Sequence, residues 1–212
     1  MMSEGGNGYN SFTSPIALIH KFYISGEIKS PNEYTAIFEE IRTAAENDVV
    51  YLHINSMGGD VFTAIQFMRV LYETKATTVA SVEGMCMSAA TMIFLAAQHH
   101  EISANVMVMC HNYSTANMGK GNEIYDDALH GKLWSENLFY DIYSDFLTKE
   151  EITTVLNGKN LYLVGEEVAK RLKNRKAKLE EKHKKMTKEA QEAEAKIKEP
   201  TKKMVKHKYP TS

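Results

Sequence analysis

The stretch Asp48–Asp60, DVVYLHINSMGGD, decides the fold. Its first eight residues, Asp48 to Asn55, are rich in β-branched and aromatic side chains with little alternation. That predicts a strand covered on both faces. The strand runs into Gly58-Gly59, and a helix follows with apolar Val61, Ile65, Met68 and Tyr72 at spacings of three and four. A buried strand passing through glycines into a helix is the repeating unit of an α/β fold.

The same alternation extends to either side. Upstream, Ala17 to Ser25 (ALIHKFYIS) is a strand candidate ending before Gly26. Ser30-Pro31-Asn32-Glu33 then opens a helix, with Ser as N-cap, Pro at the first helical position and Glu completing a capping box. Downstream, Thr77 to Val82 is another strand, and Ser88 to Gln98 (SAATMIFLAAQ) is apolar all round, the pattern of a helix buried in a core. Val106 to Cys110 is a short buried strand that stops at His111. This order predicts an α/β fold of mostly parallel strands joined by right-handed crossovers.

Beyond Gly119 and Gly121, residues 122–146 form a long helical segment containing Trp134, Tyr125, Phe139, Tyr140, Tyr143 and Phe146, with Leu138, Ile142 and Phe146 on one face. A second capping box, Thr148 to Glu151, opens the next helix, and Asn157-Gly158 closes it. The long aromatic helix fits packing against another chain or a place inside its own domain, and the sequence leaves both open.

A chain of 212 residues, 43% hydrophobic and 25% charged, buries enough surface to fold without disulfides or a metal. Its longest uncharged apolar run, Met85 to Ala97, is about 13 residues, short of the roughly 20 that cross a bilayer. The N-terminal MMSEGGNGYNSF has no basic region followed by an apolar stretch, so no secretory signal and a cytoplasmic location are expected. Cys86 and Cys110 sit in apolar text outside any CxxC pair and are expected to be reduced core thiols. The net charge of -2 conceals an asymmetry. Residues 172–212 carry 14 Lys/Arg against 6 Asp/Glu, leaving 11 against 21 for residues 1–171. The chain therefore divides into a folded domain, 1–171, and a basic tail, 172–212, with too few large apolar residues for a core of its own. The tail is expected to be a solvated helix to about Glu199, broken by Pro200 and followed by a disordered end; neither nucleic-acid nor membrane binding is expected of it.

Three places carry chemistry. At Gly58-Gly59 the backbone can approach a ligand closely, although such turns are common between strands and helices. Ser88 opens the buried helix, where first-turn N–H groups favour developing negative charge, so it reads as a nucleophile beside an oxyanion site or as an ordinary N-cap. No glycine stands two residues before or after it, which excludes the GxSxG elbow. His111, directly after the apolar strand VMVMC, reads as a general base or as a satisfied core histidine. Of the other histidines, His99 and His100 lie at a helix end and His183 and His207 in the tail.

Taken together, in this order and spacing, these places resemble the proteolytic subunit of the Clp protease, an ATP-dependent serine peptidase. The family's INSPGG strand motif stands here as Ile54-Asn55-Ser56-Met57-Gly58-Gly59, and its Ala-Ser-Met-Gly nucleophile context as Met87-Ser88-Ala89-Ala90. Its Met-Ile-His-Gln-Pro becomes Met109-Cys110-His111-Asn112-Tyr113, and the stretch after its catalytic acid becomes Leu161-Tyr162-Leu163-Val164-Gly165-Glu166-Glu167-Val168-Ala169, which puts Asn160 at the acid position. The resemblance covers roughly residues 17 to 171. It implies a crotonase-like ββα superhelix in which residues 122–146 are the handle helix interlocking two heptameric rings. It implies Ser88 as nucleophile, His111 as base, Asn160 as third member, and backbone N–H groups of Gly59 and Ala89 as the oxyanion hole. The implied substrates are unfolded polypeptides delivered by a hexameric AAA+ unfoldase into the chamber of a homo-oligomer, with no metal or small cofactor.

The sequence departs from the family pattern at Asn160 (Asp in the family), at Met57 (Pro), at Asn112-Tyr113 (Gln-Pro) and past Ala169, where a Gly-Leu-Ile-Asp strand gives way to Lys-Arg-Leu-Lys. Asp126, Asp127, Asp141 and Asp145 are alternative sources of a carboxylate. Asn160 also makes room for a second expectation, a weak or non-catalytic ring subunit of the same fold. A crotonase-type acyl-CoA enzyme, which shares the two-N–H oxyanion hole and needs no Ser–His pair, is the third.

Overall fold

The computed structural model describes residues 16–204. Residues 1–15 and 205–212, on which the leader expectation and all but the first four residues of the expected disordered end fall, lie outside the described residues. The chain forms two compact units, one ending at Cys110 and one beginning at His111.

In the first unit, β1 (Ile19–Ile28), β2 (Val49–Gly59) and β3 (Thr77–Met87) lie side by side in parallel. With β2 on one edge of β3, the other edge carries β4 (His99–Ile102) against Val79–Val82 and β5 (Met107–Cys110) against Met85–Met87, both parallel. The helices α1 (Thr35–Thr43), α2 (Val61–Glu73) and α3 (Ala89–Ala96) connect these strands. Phe22, Ile24, Val50, Leu52, Ile54, Ala80 and Val82 from the strands are buried, as are Phe38, Ile41, Phe67, Leu71 and Ile93 from the helices. Phe38 and Phe67 meet edge to face at 4.8 Å. Each of these side chains larger than alanine contributes about 1.5–3 kcal/mol by leaving water.

Several expectations change in detail. Burial along β2 alternates strictly, so the strand is covered on one face and not on both. Tyr51 and His53 point to the other face, where Tyr23 stacks on His53 at 4.6 Å and Glu83 accepts from the His53 ring at 2.8 Å. That aromatic content made the strand read as doubly buried. The Ser30 capping box does not form: Ser30 makes no capping bond with its side chain, and Pro31–Tyr34 is a 3-10 turn preceding α1. Every residue of α3 is buried, as its all-round apolar sequence predicts. Cys86 and Cys110 are buried and joined in no disulfide among the described residues.

The second unit holds α4 (Gly121–Tyr143), α5 (Lys149–Leu156), β6 (Leu161–Val164) and α6 (Gly165–Met204). The long helix expected over 122–146 is α4 plus the turn after it. Thr148 and Glu151 cap α5 reciprocally, and Gly158 ends it with φ 92. Arg171 on α6 holds Glu151 with two hydrogen bonds, 2.8 and 2.7 Å, a fork geometry that only a guanidinium offers. The helix therefore begins well before Leu172 and passes the 171/172 position unbroken. It also continues past Pro200, where the absent N–H removes one ladder bond without ending the span. No helix among the described residues is long and apolar enough to cross a membrane.

Candidate active site

The site starts from two irregularities in the sheet. Between β1 and β2 the register slips after Gly26↔Ser56, so that Glu27 faces Gly58 and Met57 is the extra residue of a bulge. Between β2 and β3 it slips from Ile54↔Val82 to Ser56↔Cys86. Asn55 fills this second gap, its Oδ1 accepting from the Met85 N–H at 3.1 Å. A bulge bends the end of a strand and re-aims the residues beyond it, which in β2 are the Gly58-Gly59 turn.

Both glycines are required by their conformation and their neighbours. Gly58 has φ 97 and Gly59 φ 151. A Cβ on Gly58 would lie 2.6 Å from Ser88 Cβ, 2.7 Å from Met87 O and 3.1 Å from Ala89 N; one on Gly59 would lie 2.2 Å from Ile28 O. The glycine pair is thus pressed against the β3–α3 junction on one side and β1 on the other. Asp60 anchors its far end: its N–H donates to Ile28 O at 2.9 Å, and its carboxylate caps α2 by accepting from Thr63 N at 2.7 Å.

Ser88 stands at that junction with φ 55 and ψ −129, the one non-glycine residue with positive φ among the described residues. Such a conformation costs on the order of 1–3 kcal/mol and persists only when its surroundings impose it. They do so here. The Ser88 N–H donates to Met109 O at 2.8 Å, and its carbonyl accepts from the Thr91 N–H at 2.9 Å and the Thr91 hydroxyl at 2.6 Å. Ser88 occupies the N-cap position of α3, but its hydroxyl makes no capping bond to the helix. Ser88 is half-buried, while Ala89, first residue of α3, is buried.

Of the five residues marked by the sequence, the first unit holds Ser88, Ala89 and Gly59, with Ser88 and Ala89 packed against Gly58, the residue before Gly59. The other two belong to the second unit. His111 is its first residue, half-buried directly after β5, two positions beyond the Met109 whose carbonyl holds Ser88. Burial depresses its pKa below the ordinary histidine value, which leaves the ring neutral near pH 7 with a lone pair able to accept a proton. The next two residues are tied down within their own unit. Asn112 Nδ2 donates to Leu156 O at 3.5 Å, and the Tyr113 ring meets Trp134 edge-on at 6.5 Å. Gly131 on α4 makes room for it, since a Cβ there would come 2.6 Å from the Tyr113 hydroxyl. Asn160 is exposed in the turn before β6. Asp126, Asp127 and Asp141 are exposed on α4, and Asp145 is half-buried after it.

Sequence reading missed the hydroxyl of Ser56 and the amide of Asn55 as parts of this site. The signal was present: a small polar pair directly after the apolar run and before two glycines. Among the described residues no group of three His, Cys, Asp or Glu side chains gathers as a metal site.

The geometry can support acyl transfer: a strained serine at a helix start, packed against a glycine turn. Comparison with known proteins agrees. The sequence matches the Clp protease family over residues 19–157. No curated protein matches the chain. Among solved structures, ClpP1 from Listeria monocytogenes, in a variant carrying an Asn-to-Asp replacement, superposes with a TM-score of 0.59 at 20% identity, covering 72% of this chain and 86% of that one. At that identity the likeness concerns the fold.

Proposed function

Because the chain belongs to the Clp protease family, we propose that it is a serine endopeptidase subunit that cleaves unfolded polypeptides inside an oligomeric chamber. The observation that carries this is Ser88 itself, held at φ 55 against Gly58 with its hydroxyl unused by the helix it precedes. A strained serine on a strand-to-helix turn is how a nucleophile is presented. In this reading Ser88 Oγ attacks the peptide carbonyl carbon while His111 takes its proton. The oxyanion that forms accepts from the N–H groups of Gly59 and Ala89. His111 then protonates the leaving amine, and water, activated in the same way, hydrolyses the acyl-serine.

The pH dependence is set by His111. A protonated imidazole cannot act as base, so activity falls as pH drops through its pKa, and burial places that pKa below the usual value. The acid limb of kcat/KM is therefore expected below about pH 6.5. A limb above that value would mean that a negative charge faces the ring.

Asn160 supports a second reading, a catalytically weak ring subunit. An aspartate at that place would hold the imidazole tautomer and stabilise the imidazolium, and Asn for Asp in a serine triad costs on the order of 10⁴ in turnover. Asn160→Asp is accordingly expected to raise peptide turnover about tenfold or more and to move the acid limb upward. No gain beside robust native activity would remove Asn160 from the machinery.

Members of this family form rings and work with AAA+ unfoldases. For this chain, assembly is supported by the face of α4 that carries Tyr125, Leu129 and Leu133, four residues apart and 68%, 44% and 53% exposed. Contiguous exposed apolar side chains on one helix face mark an interface. Size-exclusion mass measurement tests it: two stacked heptameric rings give the mass of a tetradecamer of 24.0 kDa chains, whereas a monomer contradicts the chamber.

A further inference from the structure

We propose that Ser56 is a positioning residue for the oxyanion hole, an inference that rests on the peptidase reading above. Ser56 lies on β2 with no exposed surface. Its hydroxyl donates to Gly26 O at 2.6 Å and accepts from the Gly58 N–H at 3.0 Å. Those two backbone groups flank the bulge where β1 and β2 lose register, and a bulge leaves ladder groups unpaired. The Ser56 hydroxyl thus replaces one rung of the ladder and carries it round the bulge to the glycine turn.

The consequence is orientational. Two adjacent glycines are the least restricted backbone a chain can have, yet the hole needs the Gly59 N–H aimed within a few tenths of an ångström of one point. Ser56 pins the Gly58 amide, and Asp60 pins the residue after Gly59 through its N–H to Ile28 O and its cap on α2. Between these two anchors the Gly58-Gly59 peptide has one orientation, against Ser88 and Ala89. Because the Gly58 N–H is spent on Ser56, it is no oxyanion donor. Its bond to the hydroxyl fixes the glycine that precedes the donor.

The test separates positioning from mere stability. Ser56→Ala, checked for folding by circular dichroism, is expected to lower kcat about tenfold to a hundredfold, since deleting one oxyanion donor outright costs 10²–10³. KM should stay within about twofold. Affinity for a peptide boronate, whose tetrahedral adduct on the serine uses the same hole, should fall in parallel with kcat. Ser56→Thr, which keeps the hydroxyl, should restore most of both. Hydrogen exchange over residues 54–60 should quicken in the alanine variant and not in the threonine variant. An alanine variant with native kcat and boronate affinity, or with unchanged exchange, overturns this inference alone. A native chain that neither cleaves peptides nor takes the boronate overturns the reading of the site and this inference with it.

Discussion

If Ser88 is the nucleophile proposed above, Ser88→Ala is expected to reduce peptide hydrolysis by at least about 10³-fold while leaving the fold intact, because only binding and the oxyanion hole would remain. The backbone adds a second, less ordinary expectation. At φ 55 and ψ −129 alanine is as strained as serine, whereas glycine is at ease. Ser88→Gly should therefore be as inactive as Ser88→Ala and more stable than it by about 1 kcal/mol or more. Thermal unfolding of the two variants beside the native chain reads this directly. Equal melting temperatures would mean that the junction holds no strain, and hydrolysis at the native rate by either would remove Ser88 from the chemistry.

The second large effect is at the glycine pair. Gly58→Ala would drive a methyl to 2.6 Å from Ser88 Cβ and 2.7 Å from Met87 O, obstacles fixed to the backbone that cannot swing away. It also places a Cβ at φ 97. Activity is expected to fall at least about 10²-fold, with a destabilisation of several kcal/mol. Gly26→Ala is the control: it too has positive φ, at 71, but open space around it. It should show the conformational penalty alone, about 1–2 kcal/mol, with turnover of the folded fraction unchanged. Melting temperatures and specific activities of the two variants decide the point. If Gly58→Ala behaves like Gly26→Ala, the close approach of the turn to Ser88 is not what shapes the site.

The α/β class and the two site motifs were legible because they rest on local patterns: an apolar run, a double glycine, a buried helix opening on serine. What was not legible depends on partners distant in sequence. β3 continues five residues beyond Val82, through Gly84 to Met87, because β5 pairs with Met85–Met87 and Asn55 bridges the slipped register. None of these partners shows in the text of β3 itself. β4, His99–Ile102, reads as a polar helix end, and only the edge of β3 makes it a strand. The alternation of β2 was hidden because Tyr51 and His53 look like core residues in a sequence, while in the fold their rings lie against each other on the open face and each reaches a carboxylate, Glu101 and Glu83. Ser88 and His111 stood out in the sequence by position. The strain on Ser88 could not, since a backbone dihedral is imposed by Gly58, Met109 and Thr91 rather than by its neighbours in the chain.

The measurement that bears most directly on the central claim is labelling of the purified chain with a fluorophosphonate, followed by mapping of the modified peptide. A phosphonate ester bond forms only at a serine whose proton is removed as it attacks and whose adduct oxygen is received by an oxyanion hole. The expected result is a single adduct on Ser88, absent in Ser88→Ala and strongly slowed in His111→Ala. An unlabelled Ser88 in the assembled native chain, or labelling that is indifferent to His111, would contradict the account.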